Sequence, residues 1–63
     1  MPKTNIEVSL IGKDGNAFAV MGAVIQALKR GGRQDLVEPY QNEAMAGDYN
    51  HLLRTTMEYV EVT

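Results

Sequence analysis

Apolar and polar residues alternate over residues 6–11, with Ile6, Val8 and Leu10 on one side and Glu7 and Ser9 on the other. A period of two marks a strand with one buried face. The run stops at Gly12-Lys13-Asp14-Gly15-Asn16, a cluster of turn formers. The period then lengthens to that of a helix over residues 17–30, with Asp14 or Asn16 as N-cap and Gly31-Gly32 as the stop. Phe18, Val20, Met21, Val24, Ile25 and Leu28 make up its apolar half. A weaker helical pattern spans residues 34–46. Asp35 and Glu38 have the spacing of a capping box, and Pro39 falls in or just after the first turn. Leu36, Val37, Tyr40 and Ala44 form its buried stripe, and Gly47 closes it. Asp48 then caps a third helix over residues 49–59. It sets Tyr49, Leu52, Leu53, Thr56, Met57 and Val60 on one side, against Asn50, His51, Arg54 and Glu58 on the other. Alternation returns over residues 60–63, a short closing strand.

The predicted fold is a single small α+β domain over residues 1–63: a short N-terminal strand, three helices and a short C-terminal strand. Two short strands make a marginal ribbon with two open edges. Composition sharpens the problem. Of 28 apolar residues six are alanine and fourteen are Val, Ile or Leu, while cysteine is absent and histidine occurs once. A chain of this size buries only about 60% of its unfolded surface, and disulfides and thiolate zinc sites are excluded. Homodimerisation, which covers an edge and enlarges the core together, is the expected remedy. The first helix offers a contact for it. Ala19, Gly22, Ala23 and Gln26 form a small, uncharged side where an exposed helix normally carries charge, and Gly22 costs about 1 kcal/mol of helix propensity. The alternative is that a loop of the same chain covers this side.

Six Lys and Arg against eight Asp and Glu give a net charge of −2 and a pI near 5.1, which disfavours sequence-independent binding to a phosphate backbone. No apolar run approaches the roughly 20 residues that span a bilayer, and residues 1–5 lack the apolar stretch of a signal peptide. A cytoplasmic location and no membrane contact are expected.

Candidate chemistry is sparse. The residue 12–16 loop leads into a helix N-terminus, where free N–H groups favour an anion, yet it lacks phosphate-loop and dinucleotide spacing and Asp14 opposes phosphate. Lys29, Arg30 and Arg33 cluster at the end of the first helix, either complementing its dipole or forming a small basic patch. Lys13, Asn16, Lys29, Arg30, Arg33 and Tyr49 are therefore the candidate ligand- or partner-binding residues, with Asn16 able to bond across to another loop. His51 lies on the wet side of the third helix, where it can support the Asp48 cap, and Tyr49 and Tyr59 read as core-rim rings with hydroxyls reaching solvent. Ser9 is the sole serine and has no base beside it in sequence. No catalytic residues, metal ligands or cofactor are expected.

The run from Val8 to Gly22 with Ala27-Leu28, the run from Glu43 to Leu53, and the closing Tyr59-Val60-Glu61-Val62 together resemble small uncharacterised proteins of bacteria and their phages. The resemblance implies an accessory protein of a mobile-element setting and supplies no catalytic residues. The leading expectation is a non-enzymatic, self-associating protein that acts by binding a host or phage protein. One alternative is sequestration of a small anionic, nucleotide-like signal at a subunit interface, by analogy with small oligomers of phage counter-defence. Another is a weak DNA- or RNA-binding regulator, since only Gly47-Asp48 separates the last two helices. The near-neutral face of Asn50, His51, Arg54 and Glu58 speaks against that one.

Overall fold

The computed structural model describes residues 2–10, 12 and 15–63. The chain runs β1 (Glu7–Val8), α1 (Ala17–Arg30), a single 3-10 turn (Gln34–Leu36), α2 (Val37–Ala44), α3 (Tyr49–Tyr59) and β2 (Glu61–Val62). This is the α+β order that the patterning predicts. The strands pair within the chain, in parallel, with Glu7 opposite Glu61 and Val8 opposite Val62. Both are shorter than their alternating runs, because a strand extends only as far as it has a neighbour to bond. Glu61 N–H and Thr63 N–H donate to the carbonyls of Ile6 and Val8 at 2.8 and 2.9 Å.

The limits of α1 follow from local chemistry. Asn16 caps it, its side-chain oxygen accepting from Ala19 N–H at 3.0 Å. Gly32 ends it with a φ of +76°, a conformation that costs other residues roughly 1 kcal/mol or more. That turn lets Arg33 N–H reach the Leu28 carbonyl at 2.8 Å and Gly32 N–H the Lys29 carbonyl at 3.2 Å, which satisfies two of the helix's terminal acceptors.

The second helix departs from its pattern. Asp35 does not cap; its carboxylate is held by the Arg33 guanidinium at 3.3 and 3.4 Å. Without that cap residues 34–36 tighten into the 3-10 turn, α2 starts at Val37, and Pro39 falls in its first turn, where no helical hydrogen bond is lost. The helix ends at Ala44, two residues before the predicted limit. Asp48 does cap α3, accepting from His51 N–H at 2.9 Å.

The core lies where α1, α2 and α3 meet under β1. Val20, Val24, Leu28, Tyr40 and Val60 are fully enclosed, and burying a large aliphatic or aromatic side chain contributes about 1.5–3 kcal/mol each. Three predicted core assignments are corrected. Phe18 is 80% exposed: at about 100° per residue it lies some 120° from the centre of the buried arc of α1, in a first turn that nothing covers. On α3 the buried arc is rotated by about 60° from the predicted one, so that Met57 is exposed and Thr55 buried. Tyr59 is buried rather than at the rim, its ring edge-on to Tyr40 at 5.3 Å between centroids with the Lys3 ammonium over its face.

The buried hydroxyls of Tyr40 and Thr56 form a relay. The Thr56 hydroxyl donates to the Leu52 carbonyl at 2.9 Å, which uses its only proton, so the Tyr40 hydroxyl 2.8 Å away is the donor of their shared bond. Burial pushes the Tyr40 phenol above its ordinary pKa, opposed in part by the Thr56 hydroxyl. The N-terminal segment is fastened to the far end of the chain: Lys3 N–H donates to the Glu58 carbonyl at 2.9 Å, and the buried Thr4 hydroxyl donates to the Tyr59 carbonyl at 2.8 Å.

The ribbon carries one unfavourable pair, Glu7 directly opposite Glu61 with both exposed. Like charges so placed cost a few tenths to about 1 kcal/mol. Glu61→Lys is therefore expected to raise unfolding free energy by about 0.5–1 kcal/mol at low salt, with the gain shrinking as salt is added. Urea titrations at two ionic strengths check this; no gain at low salt would mean that the carboxylates already diverge.

Candidate functional site

A groove with a volume of about 480 Å³ runs between β1 and α1. Glu7, Val8 and Ser9 form one wall, and Ala19, Gly22, Ala23, Gln26, Ala27 and Arg30 form the other. Glu7 and Val8 of β1 and Ser9 just beyond it line the groove in succession although alternate side chains leave opposite faces, so the groove follows the edge of this segment. The hydrogen bonding agrees with this. The Ile6 and Val8 carbonyls are turned towards β2, so the N–H and C=O of Glu7 point to the opposite edge.

All four residues of the predicted self-association face, Ala19, Gly22, Ala23 and Gln26, stand together on the helical wall. β1 of the same chain flanks this face without covering it: Gly22 and Gln26 remain exposed, Ala19 and Ala23 half-buried. A Cβ added at Gly22 would meet nothing within 4 Å. The helix therefore carries a poor helix former where its own chain has no steric need of one. The strand wall, by contrast, was not singled out by sequence; Glu7 and Ser9 are ordinary wet-face residues until the topology sets them beside α1.

On the other flank of α1, Phe18 and Met45, 80% and 59% exposed, rim a smaller apolar pocket of about 240 Å³ whose lining includes Met21, Ala44 and Leu52. Exposed large apolar side chains that adjoin a pocket are a common feature of contact surfaces.

The basic residues at the end of α1 are not gathered into one patch. Arg30 lines the β1–α1 groove, Lys29 is exposed, and Arg33 turns to Asp35, whose carboxyl it holds below its ordinary pKa chiefly by that hydrogen bond. Arg33 also lines a shallow, polar hollow of about 400 Å³ with Lys3, Thr4 and Asn5. Asn16 is spent on its own helix rather than bonding across. The bond across is made by Tyr49 instead, whose hydroxyl accepts from Gly15 N–H at 2.8 Å and ties the turn before α1 to the start of α3. Lys13, like Asp14, lies outside the described residues.

His51 joins two helices. Its Nε2 lies 2.9 Å from the Glu43 carbonyl in the last turn of α2 and 3.7 Å from the Glu43 carboxylate. Among the described residues no group of three or more His, Asp or Glu side chains is placed to hold a metal ion, and no helix is long and apolar enough to cross a membrane. The chain matches no family model, no curated protein and no solved structure.

Proposed function

We propose that this chain is a small non-enzymatic binding protein that works as an assembly of its own copies, with the α1 side of the β1–α1 groove as the contact between them. The observation that carries the reading is the groove wall itself: Ala19, Gly22, Ala23 and Gln26 stand beside an open strand edge, and space is left over Gly22. Small residues allow close approach of a second backbone, and a strand edge left open is a liability that a partner removes. The apolar Phe18–Met45 pocket lies on the opposite flank of α1 and stays accessible in such an assembly, available to a protein partner.

Two substitutions separate this contact from folding. Gly22→Ala should raise the unfolding free energy of the isolated chain by about 1 kcal/mol through helix propensity, because the added Cβ meets no atom of its own chain. Ala23→Glu places a charge on the groove wall and is expected to weaken association by at least about tenfold while thermal unfolding of the dilute chain is little changed. Melting curves and light scattering on the same samples read both. A wild type that associates with the same affinity as Ala23→Glu would move the contact elsewhere.

A further inference from the structure

We propose that the polar hollow between residues 3–6 and the turn after α1 is a binding site for a small oxyanion of the phosphate class, held by Lys3, Asn5 and Arg33. It shares no lining residue with the β1–α1 groove, so the inference is independent of self-association.

The donors come first. Lys3, Asn5 and Arg33 line one hollow of about 400 Å³, and no Asp or Glu lines it. Each has donor capacity that its own chain leaves unused. The Lys3 ammonium lies over the Tyr59 ring, 5.3 Å from its centroid. It has no carboxylate partner among the described residues, where the ion pairs are Arg33–Asp35 and His51–Glu43. The Asn5 side-chain amide has no hydrogen-bond partner there either. Arg33 gives Nε and Nη2 to the Asp35 carboxylate. That leaves Nη1 and the second N–H of Nη2, the other edge on which a guanidinium can hold two oxygens at once. Two cations and a neutral donor around a space with no anion suit a ligand of two charges and at least three acceptor oxygens. A phosphate group meets both requirements, whereas a carboxylate offers one charge and two oxygens.

The walls are in place without the ligand. Lys3 N–H is bonded to the Glu58 carbonyl at 2.9 Å and Glu61 N–H to the Ile6 carbonyl at 2.8 Å, while the Thr4 hydroxyl is bonded to the Tyr59 carbonyl at 2.8 Å. Arg33 N–H is held by the Leu28 carbonyl at 2.8 Å. The two walls meet where Ile6 packs on Gly31, so closely that a Cβ added at Gly31 would lie 2.5 Å from Ile6 Cδ1. A ligand therefore has only side chains to order, which is the smaller part of the cost of binding. Asp35 is the internal competitor. Its exposed carboxylate sits on Arg33 outside the hollow and offsets part of the positive charge there.

The test is a titration of the full chain with inorganic phosphate at constant ionic strength, read by amide and Arg33 Nε–H resonances. Wild type should show saturable shifts confined to residues 3–6 and 31–35, with a Kd of about millimolar for so open a site. Lys3→Gln and Arg33→Gln should each weaken binding at least about threefold. Asp35→Asn should tighten it about two- to fivefold by removing the competing carboxylate, a gain that no loss of structure can imitate. Acetate should bind at least about threefold more weakly than phosphate. Shifts that grow linearly or spread over the whole surface overturn the proposal, as does an unchanged Kd in any of the three variants. Acetate binding as tightly as phosphate overturns the ligand class. None of these outcomes bears on self-association, whose contact lies on the other groove.

Discussion

Tyr40→Ala is expected to cost about 3–5 kcal/mol, the range for deleting a fully buried aromatic ring. The ring is wholly enclosed, stacks edge-on against Tyr59 and bridges α2 to α3 through its hydroxyl. By the per-residue average, a 63-residue chain has a total stability of roughly 3–9 kcal/mol, so the variant should lose a third or more of it and melt at a much lower temperature. Two companion variants resolve the ring from the hydroxyl. In Tyr40→Phe the Thr56 hydroxyl still donates to Leu52, and only a bond of net worth about 0.5–1.5 kcal/mol is lost. In Thr56→Val the buried phenol is orphaned, at a cost of about 1–3 kcal/mol. Urea titration of the three variants checks the order. A Tyr40→Ala protein within 1 kcal/mol of wild type would show that the core does not close around this ring.

Gly47→Ala is the second large effect. The backbone at Gly47 does not require glycine, since its φ is not positive. Space does: an added Cβ would lie 2.8 Å from both Cβ and Cγ of His51. Those atoms are close to the α3 backbone and cannot swing aside as a side-chain tip would. Overpacking of this kind costs about 1–3 kcal/mol. It should also displace the imidazole from the Glu43 carbonyl, loosening the end of α2. The expected readout is a lowered melting temperature together with a shifted His51 ring resonance. In a His51→Ala background, which removes Cγ, the penalty of Gly47→Ala should shrink; an undiminished penalty would place the clash elsewhere.

How far the sequence is legible depends on the distance over which each feature is decided. The limits of α1 and the start of α3 are set within a few residues, by Asn16, Gly32 and Asp48, and these read correctly. The start of α2 is equally local, yet two local outcomes compete for Asp35, and the neighbouring Arg33 takes it from the capping position. Periodicity locates a buried arc but not its width, which is why Phe18 reads as core. On α3 the arc turns towards Thr55 and Tyr59, residues whose polar groups lower their apparent claim to the interior. The N-terminal fastening was not legible at all, because Thr4 bonds to a carbonyl 55 residues away. The candidate site divides in the same way. Its helical wall is written in four small residues at helical spacing, whereas its strand wall exists only once β1 pairs with β2 and lies beside α1. The dispersal of Lys29, Arg30 and Arg33 is likewise a tertiary result, since their closeness in sequence carries them to different surfaces of the helix end.

Whether the β1–α1 groove is filled by another copy of the chain is measured most directly by sedimentation velocity of the wild type from micromolar to millimolar concentration. The expected result is a concentration-dependent shift from the 7.0 kDa chain to a species of twice that mass. A folded species that remains at 7.0 kDa across the whole range would contradict it.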